Sequence, residues 1–241
     1  MSFKDSTTEE LMRYYQSHDI QSAINVAYEI IKNNSIKNTA SKNIINGEIC
    51  ETVLMMLIEE FKKRNVELTK EWHISKGLVL KDPSDLMHMT EVDLVLTTQK
   101  RVIIFECKCY SGNKRITKEC TIERTTGKFD VYKQNLGHAK LLEKTLCKFR
   151  HHSAMDKQAF SLALFNFSTG DICDLRAEKW KEIMPVVDNE NIFSYLRSVA
   201  GEDLPTVWNT KLLIKGLSII ESKSLENREK HLKYVKSLPK L

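Results

Sequence analysis

Residues 90–112 read TEVDLVLTTQKRVIIFECKCYSG. Two runs rich in β-branched and aromatic residues, 92–96 and 102–108, flank a polar segment at 97–101. That pattern predicts two β-strands joined by a short turn. Asp93, Glu106 and Lys108 are charged groups set inside these apolar runs, where charge is rare unless it is paired or holds a metal. Alternate residues of a strand share a face. Glu106 and Lys108 therefore project together while Cys107 points away, and hairpin pairing brings Asp93 to the same face. Two carboxylates at one spot suit Mg²⁺ or Mn²⁺, hard ions that take carboxylates, waters and substrate phosphate oxygens. An ammonium beside them can position or activate water, or stabilise charge developing at phosphorus.

Upstream of this hairpin, residues 6–34 predict two helices with a break at 17–19. The first opens at a capping-box pattern, Thr7-x-x-Glu10, and the second carries Ile20, Ile24, Ala27 and Ile31 at helical spacing. Gly47 is read as opening the next helix, whose apolar residues include Val53, Leu54, Leu57 and Phe61. Glu48 and Glu51 are three apart and share a face of it. A strand is expected around 72–74 or 77–80, then turn residues at 82–85 and an ambiguous Met87-His88-Met89. Downstream, 111–128 is polar, with Ile116 and Thr121-Ile122 predicting a short hairpin beside the site. Lys114, Arg115, Lys118, Arg124 and Lys128 there are candidates for backbone phosphates. Residues 132–149 predict a helix that places Gln134 and His138 one turn apart on one side. Strands at 160–167 and 183–187, a helix at 191–199, a linker at 201–205 and basic helices over 212–238 complete the chain. Strands alternating with helices give an α/β class, a mixed sheet covered by helices.

The 241 residues suffice for one large domain or one domain with additions. A content of 41% hydrophobic and 29% charged residues is that of an ordinary folded protein. No apolar run reaches the roughly 18–20 residues of a membrane span, and the first residues show neither a charged n-region nor an apolar h-region, so no secretory signal is expected. Six cysteines without a C-x-x-C pair read as reduced thiols, so a cytoplasmic setting is expected. Cys107 and Cys109 form a C-x-C, but no second pair lies at zinc spacing. The net charge of +5 comes from residues 211–241, which hold eight basic and three acidic residues. That segment is either a phosphate-binding surface or a solvated helix face.

An acid on one strand followed by E-x-K on the next resembles the PD-(D/E)xK nuclease superfamily. The wider pattern is most similar to the nuclease-related domain (NERD) family. Gly47-Glu48-Ile49-Cys50-Glu51 resembles its helix start, Glu91-Val92-Asp93 its acidic strand, and 104–112 its E-x-K strand. Gln134-Asn135 with His138 resembles its following helix. The family's second glycine is replaced by Cys50, and the asparagine after the lysine by Cys109. The resemblance implies a restriction-endonuclease-like core over 41–200, a helical N-terminal extension over 1–40 and a basic helical segment over 201–241. It implies a Mg²⁺- or Mn²⁺-dependent nuclease acting on nucleic acid, DNA by family analogy. Asp93, Glu106 and the Cys107 backbone carbonyl would bind the metal, and Lys108 would act on the water. Glu51 and Gln134 would complete the site. Two alternatives stand beside this reading: a catalytically silent nuclease fold serving as a DNA-binding or assembly subunit, and a structural protein whose charges form a buried ion pair. The N-terminal helices offer a place for a second copy or another protein partner.

Overall fold

The computed structural model describes residues 3–34, 39–82, 89–110, 112–124, 127–146, 160–167, 170–202 and 210–237. β1 (His73–Lys81), β2 (Met89–Thr97) and β3 (Val102–Lys108) form an antiparallel meander. β7 (Phe160–Asn166) and β9 (Val186–Val187) extend it from β3 in parallel, giving a five-stranded sheet in the order β1-β2-β3-β7-β9. A hairpin suffices for the first half, whereas the parallel step from β3 to β7 needs a crossover. Helix α5 (Val131–Leu146) lies within it. The fold is mixed α/β with helices on the sheet, as the alternation of patterns predicts.

Two cores sandwich the sheet. Ile103, Phe105 and Cys107 of β3 pack with Val53 and Leu57 of α3 (Thr39–Arg64). Val102 and Ile104, of the other parity, pack with Leu142 of α5 and with Leu213 and Leu217 of α8 (Thr210–Ser237). Glu106 and Lys108 continue the second parity, so the β3 pleat itself aims them at the α5 side. One irregularity lies beside them. Gly77, with φ +62°, falls opposite Asp93 in the register between the pairs Lys76↔Leu94 and Leu78↔Val92. Before it Ile74 faces the α3 core, and after it Leu78 and Leu80 face the α5 core despite equal parity. Glycine tolerates the left-handed conformation that such an inversion requires.

A second, four-stranded sheet goes beyond what the sequence patterns predict. β4 (Lys114–Ile116) and β5 (Thr121–Arg124) form the anticipated hairpin, Ile116↔Ile122. It gains β6 (Gly127–Asp130) on one side and β8 (Ile172–Asp174) on the other, in the order β6-β5-β4-β8. The polar sequence hides it, because only Ile116, Ile122 and a few neighbours face a core.

Other boundaries move for identifiable reasons. α1 (Phe3–Ser17) begins before Thr7, so that residue does not cap it. A real cap opens α2 (Ile20–Asn34): the Asp19 carboxylate accepts the Ser22 amide at 2.9 Å and its hydroxyl at 2.7 Å. α3 begins at Thr39 rather than Gly47, runs across the expected boundary at residue 40, and is followed by the one-turn α4 (Val66–Thr69). Ile183 ends α6 (Glu178–Ile183), leaving only Val186–Val187 extended. α7 (Ile192–Gly201) matches the last predicted helix of the core. His88 and residues 203–205 of the expected linker lie outside the described residues. The apolar sides of α1 and α2, through Leu11, Tyr15, Ala23, Ile24, Ala27 and Ile31, are buried in the α3 core. α8 likewise turns Leu213, Leu217 and Ile220 inward, and Ser224 donates and accepts at the Val79 backbone.

Candidate active site

The hydrogen-bonded ladder between β2 and β3 ends at Leu94↔Phe105. The next residues, Asp93 and Glu106, face each other where the strands part. Asp93 takes up the amide that the ladder leaves: its Oδ2 accepts the Cys107 N–H at 2.7 Å. Glu106 is fully buried. Its Oε1 accepts a hydrogen bond from Lys108 Nζ. His138 Nδ1 lies 3.3 Å from Oε2 but off the line of a hydrogen bond, so both atoms are buried without a directed partner among the described residues. The Lys108 side chain, 13% exposed, extends to the surface and lies over the Phe129 ring, 4.8 Å from its centroid.

The electrostatics follow from this crowding. Burial, then the nearby Glu106 charge, push the Asp93 carboxyl up to about 7, against the pull of Lys108 and the Cys107 amide. Burial works the same way on Glu106, but His138 and Lys108 outweigh it and hold that carboxyl below its usual range. Burial alone would push the Lys108 ammonium down; Glu106 and Asp93 together hold it above its ordinary value. The cluster is thus one fixed carboxylate, one fixed ammonium and a second carboxyl poised near neutrality.

Glu51 approaches from α3, on the other side of the sheet. Burial and the Asp93 charge raise it well above the carboxylate range, which ties it electrostatically to the same cluster. Lys76 of β1 sits 4.0 Å from it and donates to Thr52 Oγ1 at 2.7 Å. Sequence reasoning misses Lys76: it is exposed in pattern and lies far from Glu51 along the chain. Gln134 stands in the first turn of α5, and its Oε1 is buried with no hydrogen-bond partner among the described residues. The next residue, Asn135, donates from Nδ2 to the Ile104 and Ala163 carbonyls at 3.2 and 3.1 Å, which fixes α5 across β3 and β7. The Cys107 side chain points away, as the alternation requires, into the α3 core with Cys50. Arg228 of α8 pairs with Glu91 at 2.9 Å and also donates to the Gly77 carbonyl.

Among the described residues no three His, Cys, Asp or Glu side chains cluster closely enough to cage a metal by themselves. The donor set here is smaller and harder: two facing carboxylates. Glu106 Oε2 has no directed partner among the described residues, and Asp93 is pushed toward protonation by burial and then by the adjacent Glu106 charge. A divalent cation relieves both, and Mg²⁺ ordinarily takes only one or two carboxylates and keeps its waters. The residues therefore fit such an ion.

The family model described as nuclease-related domain matches residues 47–166. No curated protein and no solved structure matches the chain. The matched span runs from within α3 to the last residue of β7. It includes Glu51, Asp93, Glu106, Cys107, Lys108, Gln134 and His138. Through residues 47–166 the chain belongs to the nuclease-related domain family, and what it carries there is a PD-(D/E)xK-like domain.

Proposed function

We propose that this domain is a metal-dependent endonuclease that hydrolyses phosphodiester bonds in DNA. The observation that carries the reading is the convergence of Asp93, Glu106 and Lys108 at the point where β2 and β3 part. Mg²⁺ or Mn²⁺, held by Asp93, Glu106 and the Cys107 carbonyl, would supply Lewis acidity at the phosphate and lower the pKa of water. Lys108, held protonated, is a donor rather than a base: it orients the attacking water and faces the charge that grows on the phosphoryl oxygens. Gln134 offers a buried amide oxygen to that water, and Glu51, raised by burial and by the Asp93 charge, completes the site from the far side of Asp93. DNA rather than RNA, and a cytoplasmic setting, rest on the family likeness and on the free cysteines respectively. Residues 41–200 form the catalytic unit in this reading.

The test is incubation of purified protein with supercoiled plasmid and Mg²⁺ or Mn²⁺, with and without chelator. Nicked or linear product that chelator suppresses, and that Asp93→Ala and Glu106→Ala both abolish, is the expected result. Binding without cleavage would make the domain a silent DNA-binding or assembly subunit instead.

A further inference from the structure

We propose that Phe129 is a stacking platform for an unpaired base beside the scissile phosphate, which makes single-stranded or locally opened DNA the substrate. The inference rests on the nuclease reading for the position of that phosphate, but its own observation is separate. Phe129 is 37% exposed and is the one aromatic among the exposed large apolar side chains of the described residues. It sits on β6, the edge strand of the second sheet, opposite Ile122, which is 3% exposed. The sheet thus buries one of two facing apolar residues and leaves the larger one open. Lys108 Nζ lies over that ring, 4.8 Å from its centroid, and the ring remains 37% exposed beside it.

The placement limits what the ring can meet. A group that touches the scissile phosphate works at the backbone of the nucleic acid. In a duplex the bases next to that phosphate are stacked and paired, and a ring so near the catalytic lysine would meet only sugar and phosphate. It can stack on a neighbouring base only when that base is unpaired or turned out. Aromatic side chains beside a cationic track are the usual means of holding single strands without regard to sequence. Arg115 shares the opposite face of the sheet with Glu123 and Lys128, whereas Lys118 in the turn between β4 and β5 and Lys133 at the start of α5 are exposed and supply such charge. Their effect is moderated by Glu119 and Asp130, and Lys128 is occupied by Glu123 at 2.6 Å. A shallow electrostatic attraction of this kind leaves the ring as the principal non-phosphate contact.

The experiment measures binding apart from cleavage. Fluorescence anisotropy with Ca²⁺ in place of Mg²⁺ compares three probes: labelled oligodeoxythymidylate, an abasic oligomer of equal length, and a duplex. Wild type should bind the thymidylate more tightly than the abasic oligomer or the duplex. Phe129→Leu should weaken thymidylate binding about tenfold or more, within the range expected for losing one base–aromatic stack. It should leave the abasic oligomer unchanged, and Phe129→Trp should restore the thymidylate affinity. Equal losses on both oligomers, or no loss on either, would overturn the proposal. Cleavage of the same strands by wild type with Mg²⁺ or Mn²⁺ is scored separately. Failure there sinks the nuclease reading, while the anisotropy comparison still decides whether Phe129 stacks on a base.

Discussion

Asp93→Asn should abolish cleavage and at the same time stabilise the metal-free protein at pH 8. The Asp93 carboxyl is raised from its ordinary 3.8 to about 7 by burial and by Glu106. A folded value above the unfolded one means that the native state holds a proton the unfolded chain releases. The group's contribution to stability is complete below pH 3.8 and is lost as pH rises through 7. At about 1.4 kcal/mol per pH unit, a rise from 3.8 to about 7 makes the loss at pH 8 on the order of 4 kcal/mol. Asparagine has nearly the same shape, keeps an oxygen for the Cys107 amide, and carries no charge against Glu106. Its advantage should therefore be largest at pH 8 and shrink toward pH 5. Urea unfolding in chelator, followed by tryptophan fluorescence, reads this out; Trp72, only 8% exposed in the α3 core, is a suitable reporter. Adding Mn²⁺ should stabilise wild type by roughly 2.7 kcal/mol at a hundred times its Kd. The variant should gain little. A variant less stable than wild type at pH 8 in chelator would refute the reasoning. Asp93 would then be held by Lys108 as an ion pair, and the structural reading of the cluster would be correct.

Three further outcomes are expected. Lys108→Ala should lower the single-turnover cleavage rate much more than it lowers DNA affinity, and parallel losses would make Lys108 a phosphate-binding group only. Gly77→Ala should cost about 1–2 kcal/mol in urea unfolding from the left-handed backbone alone. It should cost more than Arg228→Met, which removes only a half-exposed ion pair; equal costs would show that Gly77 can relax. Charge reversal at Lys230, Lys233 and Lys236 should reduce the slope of log K against log salt by up to about 0.9 for each phosphate no longer neutralised. An unchanged slope in the folded variant means that DNA is held elsewhere, most directly by the second sheet. Deletion of 211–241 is a poor substitute, because Leu213, Leu217 and Ile220 are core residues.

Much of the site is legible in the sequence because it lies on one local element. The β2–β3 hairpin combines strict alternation with charges that a buried strand does not otherwise tolerate, so Asp93, Glu106 and Lys108 can be placed on one face before any tertiary neighbour is known. Helix geometry places Gln134 and His138 one turn apart. His138 then meets Glu106 across the layer at 3.3 Å. What spacing cannot supply is the angle of approach, and His138 arrives without a directed hydrogen bond. The start of α3 is hidden for a different reason. Residues 39–43, TASKN, are rich in types that compete for backbone hydrogen bonds and read as loop. The second sheet escapes the pattern because its short strands offer too few core-facing positions for a period to show.

The charge of the C-terminal segment does not by itself give that segment its place in the fold. Eight basic and three acidic residues over 211–241 suggest a phosphate-binding tail. In the fold, α8 is first a packing element that lies along β1, and its arginine, half-exposed, lies against that strand. Arg228 crosses Gly77 to reach Glu91, two residues before Asp93. A β-carbon at Gly77 would overlap that guanidinium. The same residue inverts the β1 pleat opposite Asp93, so one glycine serves both the twist of the edge strand and the passage of Arg228. Glu91 is also among the carboxylates that raise Glu51. By pairing with Glu91, Arg228 lessens the negative charge around Glu51. The tail thus bears on the surroundings of the candidate metal site through one ion pair, apart from any effect of its net charge.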